Sequence, residues 1–263
     1  MARPGTTLMS IPKLQAIQPG ERTSPEGKPV SNKLLLALSD AEFRLIRPCL
    51  KFVTLSHQES LHQPHRLVRF AYFPNGGLIS LIVEMKDGKS VEAGLLGRDG
   101  AAGMSAVLGL NRSPLREVVQ IAGEGFRLRI SSLAEILPST PGLQMIFSRY
   151  AAGLAMQIAQ TAACNRLHKI EQRLARWLLI AQDRVDSGIV AITHEFLAIM
   201  LGTDRPSVTL AAGILQRKKI IGYTRGSVKI LNRKKLEQFA CECYAIITQY
   251  NDGPNIVSGL FPE

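Results

Sequence analysis

The side chains with the plainest chemistry lie between Thr193 and Ile230. Arg205 offers a planar fork of donors that fits paired acceptors such as guanine O6 and N7. Thr193, Thr203, Ser207 and Thr209 supply hydroxyls, and Lys218, Lys219 and Arg225 supply cations, the groups that hold phosphates without reading sequence. Pro206 and Leu210 are apolar, and Leu210 suits a thymine methyl. Positioning these groups takes two helices. Thr193 caps a short first helix through its hydroxyl. Gly202 permits a tight turn, because glycine tolerates positive φ. Asp204 caps the second helix, and Pro206 is tolerated in its first turn. Val208, Ala211, Ala212 and Leu215 then form the inward stripe, which leaves Arg205, Pro206, Thr209 and Leu210 outside. Two helices joined by such a turn are a helix-turn-helix, whose second helix fits the major groove of double-stranded DNA. Ile220 to Leu231 predicts two further strands around Arg225-Gly226-Ser227, a β wing with a basic tip.

Other reactive residues point to less. Gly97, Gly100 and Gly103, followed by Met104, could cradle a phosphate through backbone N–H groups, but the favoured reading is turn glycines in a β domain. His57, His62 and His65 lack the His-x-His spacing that puts two ligands on one strand face, and Pro64 interrupts them. They read as a polar turn. Cys49, Cys164, Cys241 and Cys243 are too few and scattered for a disulfide framework. Cys241 and Cys243, two apart on a C-terminal helix, face different ways and read as packing residues. Neither a Ser/His/Asp set nor a phosphate-binding loop motif is present. We therefore expect no enzyme, no metal site and no cofactor.

The 263 residues carry 32 Lys and Arg against 21 Asp and Glu, a net charge of +11, which calls for a polyanionic partner. Apolar runs such as Leu78 to Val83 are too short to span a bilayer, and Met1 to Gly20 has no apolar secretory core, so the expectation is a soluble, cytoplasmic chain without a membrane partner. Residues 1–30 hold 5 of the 14 prolines and read as a flexible tail. A β domain over 31–138 is built from short apolar runs broken by Gly, Asn and Asp turns, as in an antiparallel sandwich or barrel. Within it, Leu34 to Leu50 reads helical. Over 139–168 the period changes. Leu143, Phe147, Tyr150, Leu154, Ile158 and Thr161 recur at threes and fours in one helix starting near Pro141, and their seam is expected to bind a second copy of the chain. Residues 169–245 form the small DNA-binding domain, and 246–263 a C-terminal tail.

Gly202-Thr203-Asp204-Arg205-Pro206-Ser207-Val208, together with Arg173-Leu174-Ala175-Arg176-Trp177-Leu178-Leu179, resembles the Crp/Fnr family of bacterial transcription regulators. Val68 to Ser80 resembles its β roll. The resemblance implies an α+β chain: an N-terminal antiparallel, jelly-roll-like β roll of the cyclic-nucleotide-binding type, a long dimerisation helix and a C-terminal winged helix-turn-helix. It implies a homodimeric, sequence-specific regulator on near-palindromic DNA, with RNA polymerase as a candidate partner. Family members that bind cyclic nucleotides place a Glu where Met104 stands, and follow the phosphate-pairing Arg with Ser or Thr, where Glu117 follows Arg116. The effector pocket of Gly97, Gly100, Gly103, Met104 and Arg116 is therefore expected to be degenerate. Two competing readings are a small-molecule sensor acting through protein contacts and a metal-dependent β-roll enzyme.

Overall fold

The computed structural model describes residues 17–185, 187–224 and 226–251. Helices α1 (Lys33–Leu36) and α2 (Asp40–Ile46) open the first domain. The helical stretch expected there divides because Ser39 caps α2 in a reciprocal box with Glu42. Seven strands follow: β1 (Lys51–Leu55), β2 (Ser60–His62), β3 (Phe70–Pro74), β4 (Leu78–Glu84), β5 (Ser90–Leu96), β6 (Leu115–Ile121) and β7 (Gly123–Arg129). They pair antiparallel into two sheets, ordered β2-β6-β4-β5 and β1-β7-β3. Leu55, Ile79, Leu81, Leu96 and Val119 cluster as one core of this roll. Helix α3 (Met104–Val107) lies between β5 and β6, and α4 (Ile130–Ile136) follows β7.

Part of the expected N-terminal tail is packed. Arg22 is buried, and its guanidinium donates to the carbonyls of Leu35, Leu36 and Leu38 and to Asp40. Leu35 and Leu36 are in the last turn of the short α1, where carbonyls lack helical partners. Composition misses this, because a few specific bonds fix the segment: those of Arg22, and those of Arg47 to the carbonyls of Thr23 and Ser24. Residues 1–16 lie outside the described residues.

Helix α5 (Pro141–Leu167) begins at the predicted proline. Its apolar seam, however, is covered within the same chain. Leu143 and Phe147 are buried in a cluster with Phe73 and Phe126 of the roll. The Tyr150 hydroxyl donates to Ala101 O at 3.2 Å, and a Cβ on Gly94 of β5 would touch Leu154 and Ile158. Thr161 is buried too and accepts from Arg176. Periodicity identified the buried side correctly: Leu143, Phe147 and Thr161 are covered within the chain, while Tyr150, Leu154 and Ile158 are half-buried beside the roll.

Helix α6 (Ile170–Val185) leads into β8 (Ile189–Ala191), α7 (His194–Met200), α8 (Arg205–Arg217), β9 (Ile221–Thr224), β10 (Ser227–Ile230), α9 (Arg233–Phe239) and α10 (Cys243–Asn251). The wing sheet runs β8-β10-β9. The expected C-terminal tail is helical as far as Asn251, and Ile247 is buried; residues 252–263 lie outside the described residues. Among the described residues no helix is long and apolar enough to cross a membrane.

The two domains share a core. Leu78, Ile82, Leu95 and Val118 of the roll cluster with Leu174, Trp177 and Leu178 of α6 and Met200 of α7. This explains the unbroken apolar run in β4: alternate residues face the roll interior and the C-terminal domain, so both faces are buried. The polar centre of the joint is Glu92, fully buried, which accepts from Ser80 Oγ at 2.7 Å and Trp177 Nε1 at 2.8 Å. Arg184 closes its edge against Asp99 at 2.9 Å.

Candidate nucleic-acid interface

Thr193 Oγ1 accepts the Phe196 N–H and caps α7, as its position predicts. The turn is tight: Gly202 sits at φ +55°, and Thr203 N–H donates to Ala198 O at 2.9 Å. A side chain on Gly202 would also meet Val91, with its Cβ 2.9 Å from Cγ2. Asp204 caps α8 by accepting both the Ser207 N–H (2.8 Å) and its hydroxyl (3.0 Å). Those two bonds hold its carboxyl below the usual range.

Helix α8 buries Val208, Ala211, Ala212 and Leu215, the stripe read from the sequence. Arg205, Pro206, Thr209 and Leu210 are exposed, Leu210 by 71%. An apolar residue so bare, at the centre of a polar surface, is the unusual feature of this face. Arg205 has Glu195 at 3.9 Å, a loose pair in which both side chains are about two-thirds exposed. Gln216 and Arg217 in the last turn of α8 and Lys218 and Lys219 beyond it are all exposed. Lys218 lies over the Phe239 ring, 5.5 Å from its centroid. The wing is a hairpin of β9 and β10 whose Gly226 has φ +86°, and the tip residue Arg225 lies outside the described residues.

The residue that sequence reasoning left out is His194. Its ring stacks on Tyr223 of the wing at 4.0 Å, and Nδ1 contacts Thr209 Oγ1 at 3.0 Å. Thr209 gives its own proton to Arg205 O, so Nδ1 is the donor to it. Burial, then the charge of Arg205, lowers the His194 pKa. His194 thus fastens α7, α8 and the wing together, and Thr209 has no proton left for a phosphate. These partners are 15 and 29 residues away in the chain, a pairing that no local pattern reveals.

The roll keeps its cassette glycines but closes them. Gly103, at φ +80°, donates its N–H to Glu117 Oε2 at 2.8 Å, and that carboxylate also takes His62 Nδ1 at 2.7 Å. Met104 is buried in the core cluster. Gly100 lies against the Tyr150 ring and Gly97 against Arg184. Arg116 pairs with Glu84 at 2.8 Å. The three histidines stay apart in their bonding: His57 Nδ1 contacts Gln120 O, His62 is engaged as above, and His65 takes a positive φ in its turn.

Residues 172–239 match the family model of the Crp-like helix-turn-helix domain. The C-terminal domain is thus a Crp-like helix-turn-helix domain. No curated protein matches the sequence, but solved structures share its fold. FixK2 from Bradyrhizobium japonicum is 15% identical with a TM-score of 0.60, covering 73% of this chain and 98% of that one. The c-di-GMP-responsive regulator CLP of Xanthomonas campestris is 13% identical with a TM-score of 0.61, over 73% and 99%. A CRP-family transcriptional regulator from Thermus thermophilus is 20% identical with a TM-score of 0.56, over 72% and 96%. The α+β architecture expected from the sequence is the Crp/Fnr one: β roll, long helix and winged helix-turn-helix DNA-binding domain.

Proposed function

We propose that this Crp/Fnr-type regulator binds double-stranded DNA in the cytoplasm as a homodimer, on a near-palindromic site, without catalysing a reaction. The bare face of α8 carries the reading: Arg205, Pro206 and Leu210 project outward from a rigid, capped helix whose far end bears Arg217, Lys218 and Lys219. Arg205 is the direct reader of a guanine and Leu210 touches a thymine methyl. Thr193, Thr203, Ser207, Lys218, Lys219 and Arg225 hold phosphates. Two such helices about one duplex turn apart, roughly 34 Å, read the two half-sites. RNA polymerase is the partner proposed for it at a promoter.

The dimer face is the side of α5 that the roll leaves open. Met145 lies there one heptad before Ala152, Ala155, Met156, Ala159 and Ala162, which recur at threes and fours, and all six are exposed. Small residues let a second helix approach closely, and so long an apolar row is unusual on a monomer. The effector pocket is degenerate. Glu117 already occupies the Gly103 N–H and sets a negative charge where a cyclic phosphate would need to sit, and Met104 supplies no carboxylate for a ribose. Excess cyclic AMP or cyclic GMP is expected to leave the melting temperature unchanged. A true ligand at a hundred times its Kd would add about 2.7 kcal/mol and raise it by several degrees, and that result would reopen the pocket.

Arg205→Ala tests the DNA reading. Cognate affinity should fall by about 1–3 kcal/mol, with preference relaxed at one base pair per half-site, whereas Lys218→Ala should weaken all sequences alike. Equal losses for Arg205→Ala on cognate and scrambled duplexes would make Arg205 a phosphate contact.

A further inference from the structure

Three cysteines and a histidine converge where α5 ends. Cys164 lies in the last turns of α5 and His168 just beyond it, while Cys241 and Cys243 come from the turn into α10. The sequence reading put both C-terminal cysteines on one helix, facing apart. The helix in fact begins only at Cys243, and the preceding turn brings Cys241 round to the same side. The three Sγ atoms and an imidazole nitrogen all lie within 4.8 Å of one another. Cys164 Sγ is 3.5 Å from Cys241 Sγ, and Cys243 Sγ is 3.5 Å from His168 Nδ1. In a tetrahedral zinc site with metal–sulfur bonds of about 2.3 Å and metal–nitrogen bonds of about 2.0 Å, ligand atoms stand roughly 3.5–3.8 Å apart.

The surroundings suit a metal as well as the four ligands do. His168 Nε2 meets Glu242 Oε1 at 3.1 Å, a carboxylate that fixes the ring and leaves Nδ1 as the electron-pair donor. Gln160 Nε2 donates to Cys243 Sγ at 3.1 Å, the bond a thiolate favours. Arg173 and Arg176, both buried, lie within electrostatic reach of Cys164. Arg173 Nε and Nη2 and Arg176 Nε have no hydrogen-bond partner. Two buried cations beside three thiols are a poor arrangement for neutral S–H groups, and a good one for a cluster with net negative charge.

We propose that Cys164, His168, Cys241 and Cys243 bind one Zn²⁺ tetrahedrally, as a closed structural site. Three thiolates and a neutral imidazole around Zn²⁺ leave a charge of −1, which the two guanidinium groups offset. Binding forms three zinc–sulfur bonds and one zinc–nitrogen bond and releases the three thiol protons to solvent. The ion then ties the last helix of the DNA-binding domain to the end of α5, next to the connection into α6. Cys164, Cys241 and Cys243 are buried, so the site serves architecture rather than substrate access.

The test uses the full chain, purified under reducing conditions. One zinc per chain is expected by elemental analysis. Cobalt(II) added to the metal-free protein should give thiolate-to-cobalt charge-transfer absorption and the visible bands of a tetrahedral site. Cys241→Ser and Cys164→Ser should lose the stoichiometric zinc, whereas Cys49→Ser, outside the cluster, should keep it. Glu242→Gln should weaken the metal 10–100-fold while leaving the ligand set intact. If the cysteine variants do not fold, the cobalt spectrum of the wild-type chain decides alone. Reduced wild-type protein with neither zinc nor a tetrahedral cobalt spectrum overturns the proposal. So does a Cys164–Cys241 disulfide forming in its place, or zinc retained after both cysteine substitutions.

Discussion

Lys219 holds its backbone at φ +55°, a left-handed conformation that costs a residue with a side chain about 1–2 kcal/mol. It follows the last residue of α8's C-terminal cap, where Lys219 N–H donates to Gln216 O and Ile220 N–H to Leu215 O. That pairing, with buried Ile220 against buried Leu215, is the helix-ending motif in which glycine usually occupies this position. A lysine there trades stability for charge. Lys219→Gly should raise unfolding stability by about 0.5–1 kcal/mol in a denaturant titration. The same variant should bind cognate and scrambled duplexes more weakly by similar factors, as anisotropy would read. A gain in stability with unchanged DNA affinity would remove Lys219 from the phosphate contacts.

At the scale of elements, α5 has two apolar faces with different covers. The inner one is filled by the roll, and the outer one is the proposed home of the second protomer. Ala159→Glu on the outer face should give monomers by sedimentation and lose binding to paired half-sites while still folding. A dimer of undiminished strength would place the interface elsewhere. The same helix shows what a sequence discloses. The threes-and-fours spacing and Pro141 located α5 and its buried side, just as the spacing of Val208, Ala211, Ala212 and Leu215 oriented α8. Both are local facts, set by 3.6 residues per turn. What covers a buried side is not local. Leu143 and Phe147 meet Phe73 and Phe126 across the fold, His194 meets Tyr223, and Arg22 reaches the carbonyls of α1; no short window contains both partners. The glycines of the cassette were legible as turns, but the carboxylate that takes the Gly103 N–H, Glu117, was visible only as an absent Ser or Thr.

Across the whole molecule, the joint between the domains carries a proton. Burial raises the Glu92 carboxyl from 4.5 to about 7, against the opposing pull of its Ser80 and Trp177 hydrogen bonds and the charges of Arg176 and Arg184. The native state therefore binds a proton that the unfolded chain has released between pH 4.5 and 7. The contribution is whole below pH 4.5 and lost as pH rises through about 7. Stability from this group should fall by about 3 kcal/mol between pH 5 and pH 8, and Glu92→Gln should flatten that slope in unfolding titrations across the range. A slope unchanged in Glu92→Gln would assign it to other groups. Beside this carboxylate runs β4, enclosed on both faces by the roll and by the DNA-binding domain. A chain cut after α5 would bare Leu78, Ile82 and Leu95 along one stretch of sheet, a sticky stripe inviting aggregation. The reading head is therefore no detachable cartridge. It is a lid on the roll's own hydrophobic surface, so the boundary that divides the chain by function runs through the middle of what holds it folded, and β4 amides should exchange with solvent only when both halves open together.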